Sequence, residues 1–305
     1  MAVVTSDFLA GLFTNFRVIW EDAFLAASSA VDYERYCTIV PSETDTESYN
    51  WLGTVPKMSE WIDQRNLQGL VPSTYSLKNK HYEASIEVDR DTLEDDKYNL
   101  IRPRIQQLGQ EAARYPAELA VTALVAGGST ACYDGANFFS ASHSEDGSGT
   151  QSNTNTGTGT TLAQVRADFI SARTAMRRTK DGKARPMNLR PDLVIVPPDL
   201  EDVFEQLIHT NMIALSSGTQ QSNVLLNAAD IMVDSLLTDL NDWFLLCTRQ
   251  PIKPLLFQWR KQPEFAAVNN PSDAEVFKTK KFAYGVDMRC SAGYGLWQMA
   301  QRITN

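Results

Sequence analysis

The chain has 305 residues, 43% of them hydrophobic and 21% charged, and a formal net charge of −9. That length supplies one large domain or two ordinary ones, and the acidic balance argues against wrapping DNA as the main task, because phosphate binding needs clustered Lys and Arg. No apolar run approaches the ~18 residues of a membrane span, and the start MAVVTSDFLAGLF lacks the basic leader and long apolar core of a signal peptide.

The first 40 residues carry a helical stripe. Phe8, Leu12, Phe16, Ile19 and Ala23 recur at three- and four-residue steps after Ser6, a plausible N-cap. Such a stripe needs a partner surface. Next comes a polar stretch from Ser42 to Arg90, broken by Gly53, Pro56, Gly69 and Pro72, which nevertheless holds Tyr49, Trp51, Trp61, Tyr75 and Tyr82. Burying a tryptophan fully is worth roughly 4–6 kcal/mol as an upper bound. A thin arm cannot supply that burial alone, so it either folds back on its own domain or lies on another subunit.

The end of this stretch is the clearest strand in the chain. In HYEASIEVDR, Tyr82, Ala84, Ile86 and Val88 alternate with polar residues, a period of two. The alternation reverses at Asn79–Lys80, which predicts a bulge or turn there. Asp91 and Glu94 resemble a capping box. Beyond them Ile101, Ile105, Leu108, Ala112, Tyr115 and Leu119 predict the longest helix, with Pro103 in its first turn, a kink at Pro116 and an end at Gly127–Gly128.

Residues 144–161, SEDGSGTQSNTNTGTGTT, have almost no apolar side chain to offset ordering entropy. They read as a mobile surface loop between structural units. Mixed elements follow. A helix starts near Leu162, and a buried strand runs from Leu193 to Pro198. A second helix is capped by Asp199, and strands are expected at IMVDS, WFLLCTR and PLLFQW. The tail from Val276 predicts two long strands around a turn near Ser291–Gly293.

No motif for catalysis stands up. There is no GxSxG, Walker loop or HExxH, and GYGLWQ lacks the last glycine of a dinucleotide fingerprint. Cys132, Asp134, His143 and Glu145 are metal-ligand types, but their spacing matches no zinc pattern, and an Asp-Gly turn at Asp134–Gly135 is the simpler reading. The expectation is no metal and no cofactor. Cys37, Cys132, Cys247 and Cys290 are widely scattered and read as reduced, buried thiols. DRDTLEDD at Asp89–Asp96 lacks EF-hand spacing and suits an acidic helix start. One basic cluster exists, with Arg173, Arg177, Arg178, Lys180, Lys183 and Arg185. It suits nucleic acid or an acidic neighbour; a helix C-terminus that favours cations explains it more simply.

Three stretches carry a family resemblance: YNWLGTVPKMSEW (Tyr49–Trp61), CYDGANFF (Cys132–Phe139) and FAYGVDMRCSAGYGLWQMA (Phe282–Ala300). In order and spacing they resemble the Mu-type phage major head subunit family across nearly the whole chain. The resemblance implies an α+β, Hong Kong 97-like major capsid protein fold. On that plan residues 1–45 are an N-terminal arm and 46–90 an E-loop. Residues 91–159 are a peripheral domain with a spine helix and the flexible loop, 160–272 an axial domain, and 273–305 strands returning to the peripheral domain.

It further implies a non-enzymatic protein of the virion, assembled in the bacterial host cytoplasm. Hexamers and pentamers would build an icosahedral shell around double-stranded DNA. The implied partners are other copies, a separate scaffold protein, a portal protein, a decoration protein and the DNA, by weak non-specific contact; no membrane is implied. Phe8, Phe16, Trp51, Trp61, Tyr75 and Tyr82 are the expected inter-subunit contacts, and no Lys–Asn crosslink motif is recognised. The alternatives are another shell of this fold, encapsulin-like or a gene-transfer particle; a tail or adaptor protein; and a hydrolase assembled from dispersed carboxylates and His143.

Overall fold

The apolar stripe of the first segment forms helix α1, Ser6–Ser28. The computed structural model describes residues 6–50, 52, 75–89, 92, 98–145, 147–214, 220–270 and 273–305. Strands β1 (Cys37–Pro41), β2 (Thr46–Ser48), β3 (Ser76–Lys78) and β4 (Lys80–Asp89) precede the long helix α2, Tyr98–Ala126. Short strands β5 (His143–Ser144), β6 (Thr150–Gln151) and β7 (Thr154–Thr156) lead to helix α3, Leu162–Arg178. Then come β8 (Leu193–Val196), α4 (Glu201–His209), β9 (Met212–Ala214), β10 (Gln220–Ser222), β11 (Asp230–Val233) and β12 (Trp243–Leu246). The chain closes with β13 (Leu255–Val268), α5 (Ala274–Thr279), β14 (Lys281–Tyr294) and β15 (Ala300–Thr304).

α1 and α2 pack along each other. Leu12, Phe16 and Trp20, at four-residue steps, are buried against Ile101, Ile105, Leu108 and Ala112. A β-carbon at Gly109 would lie 2.7 Å from the Trp20 carbonyl oxygen, so a residue without one lets the two backbones meet. α2 is 29 residues long, about 43 Å of rise, and joins two cores. Its first half faces α1. Its second half, through Ala120, Val121 and Leu124, packs among Tyr36, Phe138, Tyr294 and Trp297. Because the helix begins at Tyr98, Pro103 sits in its second turn, not the first. The capping pair Asp91 and Glu94 lies outside the described residues.

The main sheet has the order β1-β13-β14-β4. β4, grouped with the arm in the sequence reading, pairs antiparallel with β14 from Lys80↔Cys290 to Asp89↔Lys281. Its alternation holds: Tyr82, Ala84, Ile86 and Val88 face inward and the intervening residues are exposed. The register of β13 shifts between Trp259 and Glu264, around Pro263, whose missing N–H cannot join the ladder.

In the second sheet, β11-β8-β12-β15-β7, the inner strands β8 and β12 are buried on both faces. LVIV and WFLL are therefore continuous apolar runs. Leu193, Ile195, Phe244 and Leu246 face the α2 side; Val194, Val196, Trp243 and Leu245 face α3 and α4. α3 begins with a reciprocal cap between Thr161 and Gln164.

Two expectations are corrected. Residues 144–161 are not a bare loop: β5–β6 form a ribbon, and β7 joins the second sheet parallel to β15. Asn153 is buried, and its amide nitrogen donates to the Phe138 and Trp297 carbonyls at 2.7 and 3.2 Å. Polar contacts hold the segment where apolar burial could not. Nor does the tail turn at Ser291–Gly293. β14 runs on to Tyr294, and the reversal starts at Gly295, where a β-carbon would lie 2.2 Å from the Lys253 carbonyl oxygen. Among the described residues, no helix is long and apolar enough to cross a membrane.

Candidate inter-subunit surfaces and a buried polar cluster

The arm leaves the main sheet through a fixed stem. β2 and β3 pair antiparallel, Thr46↔Lys78 to Ser48↔Ser76. Asn79, between β3 and β4, marks the expected reversal and is buried. Its amide nitrogen donates to Ser42 Oγ and the Thr44 carbonyl, both at 2.8 Å, and its oxygen accepts from Gln258 Nε2 at 2.7 Å. The Tyr49 hydroxyl donates to Gln258 Oε1 at 2.6 Å. These three side chains clamp both arm strands onto β13. At the outer corner, Glu47 Oε1 accepts from the Thr44 and Glu43 backbone N–H groups and from the Ser42 and Thr44 hydroxyls. Those bonds hold its carboxyl down at about 2.

The expected contact residues fall into two groups. Trp51, Trp61 and the side chain of Phe8 lie outside the described residues. Phe16, Tyr75 and Tyr82 find partners within the chain. Phe16 is fully covered and meets Tyr284 edge-on at 5.2 Å. The Tyr75 hydroxyl accepts from the Tyr294 backbone N–H at 2.8 Å, and burial pushes its phenol well up. Tyr82 packs on Tyr115 at 4.9 Å. Large apolar residues that do remain exposed include Leu25 on α1, Phe277 on α5 and Val224 beyond β10.

The basic cluster spans the end of α3 and the turn after it. Arg177, Arg178, Lys180 and Lys183 are exposed, while Arg173 and Arg185 are half-buried. Burial and the neighbouring Arg177 hold the Arg173 guanidinium below its usual value. Arg185 pairs with Asp181. Despite burial, the Arg185 bonds and the Lys183 backbone N–H bond keep the Asp181 carboxyl below the ordinary range.

Three of the four metal-type residues do converge. Cys132 Sγ, one Asp134 oxygen and one His143 nitrogen lie within 4.8 Å of one another. They are joined by hydrogen bonds. The Cys132 thiol donates to Asp134 Oδ1 at 3.0 Å, and His143 Nδ1 lies 2.6 Å from Asp134 Oδ2. His143 Nε2 faces Asn153 Oδ1 at 3.1 Å, so both ring nitrogens are engaged. Burial pushes the Cys132 thiol far up and favours its neutral form. Burial also pushes Asp134 up, but the His143 and Cys132 bonds outweigh it and hold that carboxyl below its usual range. Glu145 stands apart, accepting from the Trp297 indole N–H at 2.8 Å and from Gln298 Nε2 at 3.0 Å, and bonded to the Tyr133 hydroxyl. The local signal for this cluster is the Cys-x-Asp-Gly turn; Asn153, Asn79 and Gln258 were missed.

The whole chain has known counterparts. It matches the family described as Mu-like prophage major head subunit gpT over residues 9–165, 160–237 and 237–305. It is 30% identical over 304 residues to the Mu-like prophage FluMu major head subunit of Haemophilus influenzae, covering 99% of this chain and 75% of that protein. It is 27% identical over 301 residues to the major capsid protein of Escherichia phage Mu, with the same shares covered. Among solved structures, a chain from the procapsid of bacteriophage JBD30 superposes with a TM-score of 0.61 at 26% identity, covering 99% of this chain and 76% of that one.

Proposed function

The chain belongs to the Mu-like prophage major head subunit family, and from that premise we propose that copies of it form hexamers and pentamers that close into an icosahedral shell around double-stranded DNA. It is a structural subunit of a phage head with the Hong Kong 97-like fold, and its relatives are named as shell proteins, not enzymes. The observation that carries the reading is the match with a chain from a procapsid, which covers 99% of this chain and 76% of that one.

The proposed division of labour follows the described elements. The arm, clamped at Asn79, Tyr49 and Gln258, reaches over a neighbour and uses Trp51 and Trp61 as anchors. α2 and the main sheet form the peripheral body. The second sheet with α3 and α4 forms the axial body that meets its copies in a ring; this division moves β13, within the expected axial stretch 160–272, to the peripheral body, and β15, within the expected peripheral return 273–305, to the axial one. A separate scaffold directs closure in the host cytoplasm, a portal occupies one vertex, and a decoration protein binds outside. The basic cluster from Arg173 to Arg185 makes weak, non-specific contact with the packaged DNA. Elsewhere the acidic surface keeps the cargo from adhering.

A hydrolase built on His143 has no support from the geometry, because Asp134 and Asn153 occupy both ring nitrogens. The test is electron microscopy after co-expression with candidate scaffold proteins. Closed particles of uniform diameter are expected; rings or tubes alone would favour the tail or adaptor reading.

A further inference from the structure

The segment between α2 and α3 closes against Trp297, just before the C-terminal strand, around one buried histidine, which shell building does not by itself explain. The His143 side chain is fully covered and that of Asp134 nearly so. Each ring nitrogen of His143 faces an oxygen: Asp134 Oδ2 at 2.6 Å and Asn153 Oδ1 at 3.1 Å.

The orientation of the Asn153 amide is decided by its other partners. Its nitrogen donates to the carbonyls of Phe138 and Trp297, and its oxygen accepts the Ser140 backbone N–H at 2.9 Å. A flipped amide would set oxygen against two carbonyls and N–H₂ against an N–H. The oxygen therefore faces His143 Nε2, which must donate. Asp134 accepts at Oδ1 from the Cys132 thiol and the Ala136 backbone N–H, as a carboxylate does, and we assign the proton between its Oδ2 and Nδ1 to the ring. A histidine that donates from both nitrogens carries two protons and a positive charge. The ring also lies flat on the Trp297 indole, with centroids 4.0 Å apart and planes 2° from parallel, an arrangement that suits a cation over an aromatic face.

We propose that His143 is a buried imidazolium ion and that its second proton is the pin of a clasp holding residues 140–145 and 147–156 against Trp297 and β15. The other titratable groups around it are accounted for. Cys132 is a neutral thiol donating to Asp134, and Tyr133 is a neutral phenol bonded to Glu145, which in turn accepts from Trp297. The clasp needs Asp134 ionised and His143 doubly protonated together. Asp134, held low in the folded chain, contributes stability above the ordinary carboxylate range and loses it as pH falls through its depressed value. A ring nitrogen without its proton would turn a lone pair toward the oxygen it faces, and that link would repel. The clasp opens as the Asp134 carboxylate is lost.

The experiment is ¹⁵N solid-state NMR of the full chain with labelled histidine at about pH 8, well above the ordinary imidazole value of about 6.5. The His143 signal is assigned by its loss in His143→Gln or, should that variant not fold, by its contact with a labelled Trp297 ring. Two protonated ring nitrogens are expected at His143 in the native chain. Asp134→Asn should give a neutral ring at the same pH and raise amide exchange across 140–156 about ten-fold, the equivalent of 1.4 kcal/mol. A single neutral tautomer in the native chain, a metal-bound nitrogen, or an Asp134→Asn ring that stays doubly protonated would each overturn the proposal.

Discussion

Replacing Phe16 with alanine separates packing within the subunit from packing between subunits. Phe16 is fully covered in the isolated chain, by Tyr284 and the Ile105 side of α2. Removing the ring forfeits its transfer from water and leaves a cavity, for which Phe→Ala changes cost about 3–5 kcal/mol. The edge-on contact with Tyr284 accounts for about 0.5–1.5 kcal/mol of that. Against a total stability of about 5–15 kcal/mol this is a large fraction. Urea unfolding of unassembled subunits, followed by tryptophan fluorescence, should shift its midpoint down by roughly 1 M or more at unchanged slope, taking a slope of about 3 kcal/mol per molar. Val18→Ala, on the half-exposed outer face of α1, is the control and should stay within about 0.5 kcal/mol. A loss under about 1 kcal/mol for Phe16→Ala, with assembly abolished, would refute the packing argument and make Phe16 a contact to another copy.

Other outcomes follow from the same geometry. Asp242→Ala leaves Arg302 without its buried partner, now bonded at 2.7 and 3.0 Å, and should cost about 3–5 kcal/mol in the same unfolding assay. Glu47→Gln should loosen the arm stem at neutral pH, read as faster amide exchange over residues 42–48. In the native chain the Glu47 contribution is present above the ordinary glutamate value and lost only as pH falls toward about 2. Trp61→Ala should impair assembly more than subunit stability; equal loss of both in sedimentation and unfolding assays would contradict the anchoring role. Arg177→Glu with Arg178→Glu should leave shell formation intact and lower the salt needed to release DNA from opened particles; an unchanged salt dependence would remove the cluster from DNA contact.

Elements whose signal is local were legible in the sequence. The alternation of Tyr82, Ala84, Ile86 and Val88 became β4 as written, and the reversal at Asn79 is the point where the arm stem leaves the sheet. The apolar runs at Leu193 and Trp243 became strands covered on both sides. What stayed hidden depends on distant partners. Gln258 and Tyr49 are 209 residues apart in sequence, and nothing near either marks a buried amide clamped between the arm and β13. Asn153 sits in a run whose composition suggests mobility, because composition counts apolar surface and not carbonyls waiting for a donor. Three residues of the buried cluster were singled out by type; their joining into one hydrogen-bonded unit required the fold to bring Asn153 and Trp297 alongside.

The most direct test of the central claim is cryo-electron microscopy of the full chain purified with its native scaffold, taken to subunit resolution. The account predicts closed particles of uniform size in which five- and six-membered rings of this chain meet through the second-sheet body, with each arm lying over a neighbouring copy. A monodisperse monomer forming neither rings nor shells, or a shell in which every arm folds back onto its own subunit, would contradict it.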